Sequence, residues 1–370
     1  MSDMTSRERL MAAYRLEEPD RVPIGFFTTE EWVKSGDRSV VDLVMNESDV
    51  TFLVDIAGMD GCRIYLGDTP LRSERFSQGG HDYVRYSVET PKGPLRSIVR
   101  IFPEHFGGEW KIEPFVKDEK DFERFLSIPY RPLKPDPKPY LEWKRRLGER
   151  GVVHLVIPVP IYLPAFLMRV DTFLVNCIRK PDTIFQIEDV ALRYLLDYIR
   201  YLAKVGVDVY LLTGAELLSA TMAHPRNYEK YVLPYDQKVV EAIHEVDGIA
   251  HTHMHGKVGV LLDKIVATGV DALNPLEPPP RGDVDLGEAK RRVGNKICLF
   301  GNVDEIDLAH RDPQQVVGMC KKSIQDGAPG GGYVMMATGY LGGVYPPIPL
   351  ENVKALIRTV KHYGRYSKHA

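Results

Sequence analysis

Short apolar runs alternate with helix-like stretches through the second half of the chain. "VVHLVIPV" (152–159) precedes helical segments, and "VDVYLLTG" (207–214) precedes "PRNYEKYVLPYDQKVVEAIHEV". "GIAHTHMHG" leads into "KVGVLLDKIVATG", and "DALNPLEP", "KICLFGNVD" and "GGYVMMATG" are each followed by a segment with apolar residues at helical spacing. Continuous apolar strands between helices of this length predict a parallel sheet covered on both faces. Six such units, with "VTFLVDIAG" (50–58) before them, predict a closed (β/α)8 TIM barrel in preference to an open doubly wound sheet. No G-x-G-x-x-G follows any of these strands, which argues further against a dinucleotide fold.

Upstream, "RERLMAAYRL" reads as an N-terminal helix stopped by the prolines of "EEPDRVP". Residues 70–115 alternate polar with β-branched or aromatic side chains around Gly-Gly and Pro-Lys-Gly turns, which predicts a β-hairpin insertion. The proline-rich "IPYRPLKPDPKPY" (128–140) then reads as a surface connector. The expectation is one barrel domain over 1–370 with the insertion at about 70–115.

The composition suits a globular chain with a large core: 370 residues, 44% hydrophobic and 27% charged. A net charge of -3 with interspersed signs argues against a nucleic-acid surface and for small-molecule or protein partners. No apolar run approaches the roughly 20 residues of a membrane span. The start "MSDMTSRERL" lacks a signal-peptide core, so a cytoplasmic location is expected. Cys62, Cys177, Cys298 and Cys320 are widely separated with no C-x-x-C pair, so a metal would rely on His and carboxylates with at most one thiolate.

In such barrels the working groups sit where strands run into their following helices. Glu216, His253, His255, Asn274 and Glu277 fall at such ends, as do Asn302, Asp304, Thr338 and Tyr340. The stretch "HTHMHG" puts His251, His253 and His255 on one side of a strand, since alternate residues share a face. At about 3.3 Å rise per residue the outer two are roughly 13 Å apart, too far for one ion. His253 and His255 are therefore the predicted metal pair, with His251 a deeper hydrogen-bonding partner. Glu216, on the preceding strand's end, is the expected third ligand of a zinc site with an open position. Cys298 begins its strand and so lies at the wrong end.

Blander roles stand beside these: the histidines as acid/base or wall residues, Glu216 as a helix N-terminal carboxylate, and Asn302 and Asp304 as caps. "GAPGGGYVMM" reads as a flexible turn before a phosphate cradle, and "LEPPPRGD" as a rigid loop before a lid. Phe26, Phe27, Trp32, Tyr162 and Phe166, with Tyr340 and Tyr345, are aromatics able to hold a ring or to pack.

The order of motifs resembles the uroporphyrinogen decarboxylase superfamily, which includes corrinoid-dependent methyltransferases. The resemblance is carried by "RERLMAAYRLEEPDRVPI", "TPKGPL", "HPRNYEKYVLPYDQKVVEAIH", "GVDALNPLEPPPRGDVDLGEAKRRVGNKICLFGNVD" and "GGYVMMATGYLGGVYPPIPLENVKALIRTVKHYGRY". It implies a single (β/α)8 barrel and is compatible with a homodimer. True decarboxylases carry an arginine-rich "RQAGRY" after "RVP" to hold a polycarboxylate; here the place reads "RVPIGFFTTEEW". The methyltransferase branch carries His-x-Cys-Gly, which His253, His255 and Gly256 match with His in place of Cys, and no cysteine occurs in "MMATGYLGGVYPP".

The resemblance thus implies an N/O zinc site of His253, His255 and Glu216, suited to an oxygen-linked methyl group, with a corrinoid protein as partner. Phe27, Tyr162, Asn274, Asn302 and Tyr340 are the candidate substrate-binding residues. Two alternatives accompany this reading. One is a lyase acting on a smaller carboxylic acid held by Arg21 or Arg226, and the other is a non-catalytic binding barrel.

Overall fold

Strands β1 (Ile24–Gly25) and β2 (Phe27–Thr28) are two halves of one strand interrupted at Phe26, and this short piece closes the sheet. β2 pairs in parallel with β3 (Val50–Val54), through Phe27 opposite Thr51. On the other side β1 pairs in parallel with the last strand, β13 (Tyr333–Ala337), through Ile24 opposite Met335. A computed structural model describes residues 4–58, 62–102, 108–341 and 346–366.

Four further strands come first in the chain: β4 (Leu71–Gln78), β5 (His81–Val88), β6 (Leu95–Phe102) and β7 (Gly108–Glu113). β8 (Gly151–Pro158), β9 (Val209–Thr213), β10 (Ile249–His253), β11 (Ala272–Asn274) and β12 (Cys298–Val303) complete the set. The order β1-β13-β12-β11-β10-β9-β8-β3-β2 contains nine pieces, and joining β1 to β2 makes it an eight-stranded parallel barrel. The (β/α)8 expectation holds.

The described residues divide into two compact units. The first comprises 1–56, 136–157 and 202–370 and contains the barrel core. Its interior is built from alternate, inward residues of the strands, including Phe27, Val152, Leu211, Ala272, Phe300 and Val334, all buried. Helix α1 (Ser6–Tyr14) is not part of the surrounding helical layer. Leu10, Ala13 and Tyr14, at helical spacing, join the same interior cluster beside Val152, Val209, Ala272 and Cys298. Those four belong to the opening residues of their strands, so α1 plugs the amino end of the barrel.

A capping box starts α1: Thr5 accepts from the Glu8 amide, and the Glu8 side chain accepts from the Thr5 amide. Thr5→Ala leaves an amide of the first turn without its side-chain acceptor. It is expected to lower stability by about 1 kcal/mol in chemical denaturation. Indistinguishable midpoints and slopes for the two proteins would remove the cap from the account of this plug.

The second unit comprises 57–135 and 158–201. It holds the antiparallel sheet β4-β5-β6-β7, in register from Leu71 opposite Val88 onward. Lys111 of β7 is anchored by donating to the carbonyls of Ala165, Phe166 and Met168, at 2.9, 2.6 and 2.8 Å. The unit is therefore wider than the hairpins read from the sequence: it takes in helices of 158–201 that the alternation had assigned to barrel repeats. Among the described residues, no helix is long and apolar enough to cross a membrane.

Candidate active site

β10 brings the histidine stretch to the carboxyl end of the barrel. His251 lies opposite Ala272 and His253 opposite Asn274 of β11, so both imidazoles follow the inward parity of the core. His251 is fully buried and is held from below by the Tyr14 hydroxyl, 2.8 Å from its Nδ1. His253 is half-buried, 3.1 Å from Asn274 Nδ2 through its Nδ1 and covered edge-on by Phe27 at 5.5 Å between ring centroids. Burial, then the neighbouring His255, push its pKa down to about 3, so the ring is neutral.

The chain then turns through Gly256, whose φ of 88° belongs to the left-handed region. A Cβ there would meet Thr221 Oγ1 at 2.6 Å, so the turn requires glycine. That turn directs His255 to Glu277, with Nδ1 and Oε1 3.0 Å apart, while the Gly256 amide donates to Glu277 Oε2 at 2.6 Å. The His253 and His255 rings stand 4.6 Å apart at 87°.

Burial alone would lower the His255 pKa. The bond to Glu277 and its charge, with Glu216 and Glu305 adding to them, reverse this and raise it. Glu277 responds in the opposite sense. Burial would raise its carboxyl, but His255, the Gly256 amide and Arg281 hold it below the usual range. Glu216 sits in the tight turn Ala215–Leu218, accepting from the Gly214 amide at 2.9 Å. Burial raises its carboxyl despite that amide and His255.

Beyond Glu277 lies Arg281, from the "LEPPPRGD" loop. Its guanidinium donates to Asp304 at 3.1 Å, to Thr338 at 2.9 Å and to both oxygens of Glu305. Glu277 approaches it at 3.5 Å. The cation is thus shared among three carboxylates. Asp304 also caps the helix Glu305–His310, as the sequence suggested.

The other predicted residues divide. Asn274 and Phe27 join the histidines, whereas Asn302 accepts from the Ser323 hydroxyl of the helix Pro313–Gly327 at 3.1 Å. The Tyr340 hydroxyl meets Thr29 at 3.3 Å and its ring meets Trp32 edge-on at 6.5 Å. Tyr162 opens the helix Tyr162–Leu167 in the second unit. Tyr345 lies outside the described residues. Cys298 is fully buried in the interior cluster and burial pushes its thiol up, in keeping with its place at the strand's start.

Arg21, considered above as a carboxylate holder, is bound to Asp49 at 2.8 Å beside β1's first residue, at the amino end. That correction removes it from any substrate role at the mouth. Arg226 is exposed in the short helix Pro225–Asn227.

His253, His255 and Glu216 do not form a three-donor set in this arrangement. Among the described residues no three His, Cys, Asp or Glu side chains stand in metal-binding spacing. The Nδ1 atoms of the two histidines are engaged by Asn274 and Glu277, and Glu216 is turned to Gly214. These bonds leave the Nε2 atoms of both rings available to a ligand.

Two buried partners were not read from the sequence. His154 of β8 has its Nε2 2.7 Å from the same Tyr14 hydroxyl that holds His251. The signal was present: His154 is the single polar residue of "VVHLVIPV". Tyr14 gave none, because a tyrosine on an amphipathic helix reads as packing.

A parallel barrel with an acid–histidine constellation at the carboxyl ends of its strands defines an enzyme-type site. The chain belongs to the uroporphyrinogen decarboxylase (URO-D) family, whose profile matches residues 143–363. Its relatives include both decarboxylases and methyltransferases. The uroporphyrinogen decarboxylase of Pseudoalteromonas translucida is 28% identical over 194 residues, 51% of each chain. The methylcobamide:CoM methyltransferase MtaA of Methanosarcina barkeri is 24% identical over 205 residues, 55% of this chain and 56% of that one. The chain thus spans about half the length of the curated relatives it matches. A methyltransferase from Methanosarcina mazei shares the fold, with a TM-score of 0.63 at 17% identity over 98% of this chain and 99% of that one.

Proposed function

We propose that this chain is a methyltransferase that moves a methyl group from a small oxygen-linked donor to a separate corrinoid protein. The observation that carries the reading is the His255–Glu277 pair at 3.0 Å, an imidazole whose pKa that carboxylate raises, set beside neutral His253. The corrinoid's cobalt supplies the nucleophile that takes the methyl group.

The protein's task is the leaving oxygen. As the methyl–oxygen bond breaks, that oxygen gains charge, and His255 delivers a proton to it while Glu277 holds the imidazolium. Phe27 covers one side of His253 and helps exclude water. Shared among Asp304, Glu305 and Glu277, Arg281 is poorly placed to hold a polycarboxylate, which weighs against haem-pathway decarboxylation. MtaA-type relatives, named for methylcobamide chemistry, support a corrinoid partner.

Zinc on His253, His255 and Glu216 is the competing reading, favoured by the adjacency of the two rings. One experiment separates them: single-turnover transfer from methoxylated donors to a reduced corrinoid protein, with metal content measured in the same sample. Transfer by metal-free protein supports the His255 acid. Transfer that tracks one zinc per chain replaces it with the zinc site. Carbon dioxide release from a small acid without corrinoid protein overturns both in favour of a lyase.

A further inference from the structure

A cavity of about 580 Å³ opens at the amino end of the barrel, opposite the end that carries His253 and His255. Helices Leu286–Val293 and Pro313–Gly327, which lead into β12 and β13, form its sides, and Leu16, just past the plug helix, is an apolar wall. Lys290 and Arg291 of the first helix line it, with Gln325 and Asp326 of the second and Gly330 of the "GAPGGG" turn.

The acids around this cavity are already engaged, and its cations are not. Asp326 is bound by Lys322, one turn earlier on its own helix. Glu18, whose charge reaches Lys290, accepts from the Gly330 amide at 3.1 Å. Asp285 caps the first helix through the Glu288 amide at 2.7 Å. Lys290 donates to the Gly331 carbonyl, which fixes the ammonium without cancelling its charge. Among the described residues no carboxylate forms an ion pair with Lys290, and Arg291 has neither a hydrogen-bond nor an ion-pair partner. Cations in a helix's last turn answer its dipole, but that partial charge is about half a unit and is shared here with Arg292.

The glycine turn does not itself cradle an anion, because the Gly330 amide is used by Glu18 and the Gly331 amide by the Ala328 carbonyl at 3.0 Å. Its part is to hold Lys290 in place. Burial of that ammonium opposes its charge, and an anion arriving from solvent supplies the counter-charge the protein leaves out.

We propose that this cavity is a second ligand site, for a phosphate monoester whose oxygens bridge Arg291 and Lys290 while its organic part lies against Leu16. A phosphate monoester carries about −1.5 to −2 charges at pH 7 and three acceptor oxygens, enough to answer both cations, whereas a carboxylate answers one. A guanidinium takes two such oxygens side by side. Free phosphate fills little of the space, and cavities of roughly 300–1,000 Å³ are those that hold small organic molecules. The proposal does not depend on the reaction assigned to the mouth.

The test is calorimetric titration of the intact protein with phenyl phosphate, inorganic phosphate and phenol, at constant ionic strength set by sodium chloride. Saturable binding of one phenyl phosphate per chain, tighter than either of the other two, is expected. Arg291→Gln should weaken it by on the order of ten- to a hundredfold, the range for losing a hydrogen bond between charged groups. Gln325→Glu adds a negative charge to the lining and should also weaken it. Both residues are exposed, so circular dichroism should stay that of the parent. His253→Gln, at the other end of the barrel, should bind as the parent does. Heats that do not saturate, phenyl phosphate no tighter than inorganic phosphate or phenol, or parent-like affinity in Arg291→Gln or Gln325→Glu would overturn the proposal. Lost binding in His253→Gln would overturn it too, by moving the ligand to the mouth.

Discussion

His255→Gln is expected to cut methyl transfer by on the order of 10²- to 10⁴-fold, the range of general acid–base catalysis, with little change in the unfolding midpoint. The amide keeps a donor for Glu277 but cannot deliver a proton to a leaving oxygen. The pH profile tests the same assignment from another side. Glu277, Glu216, Glu305 and His253 surround this imidazole, and burial opposes its charge while the first three favour it. Its folded pKa is therefore raised, the acid form is present below that value, and activity should fall as pH rises through it.

Glu277→Gln removes the largest favourable partner and leaves burial. The alkaline limb should then move to lower pH. The linked stability has the same sign: the contribution of the pair is full below the unfolded histidine value and is lost as pH rises through the folded one. An alkaline limb that stays in place in Glu277→Gln would detach His255 from the reaction.

The parts of this site differ in how far sequence reveals them. Apolar runs before helical stretches expose the barrel because a strand buried on both faces carries its pattern locally. β1 and β2 carry no such pattern. Ile24–Gly25 and Phe27–Thr28 are pieces of two residues whose partners, Met335 and Thr51, are set by closure of the ring. Similarly, the H-x-H spacing of His253 and His255 is visible, but their partners Asn274 and Glu277 come from the next strand and its loop. Spacing along one strand shows which side chains share a face. It does not show that each Nδ1 is already engaged, by Asn274 and by Glu277, which leaves each ring its Nε2. Arg281 is a further case: sequence shows a cation in a loop, and only the fold shows that Asp304 and Glu305, from beyond the next strand, bind it.

The largest stability loss is expected at the opposite end of the barrel, in Asp49→Ala. Asp49 is fully buried just before β3 and accepts from Arg9 at 2.6 Å, Arg21 at 2.8 Å and the Ile24 amide at 2.8 Å. It therefore joins the plug helix, the closing strand and β3 through one carboxylate. Truncation leaves two largely buried guanidiniums short of their counter-charge. Breaking a buried ion pair in this way costs about 3–5 kcal/mol. Arg9 retains Asp20, at 2.6 Å, and this places the expectation toward the lower half of that range. Asp49→Asn keeps the volume and an acceptor for the Ile24 amide and should cost less. Because α1 carries Tyr14, loosening this anchor should also broaden the His251 imidazole signals before global unfolding. Denaturation of the two variants beside the parent measures the order. Equal losses in both would show that the carboxylate's charge, rather than its shape, holds the plug in place.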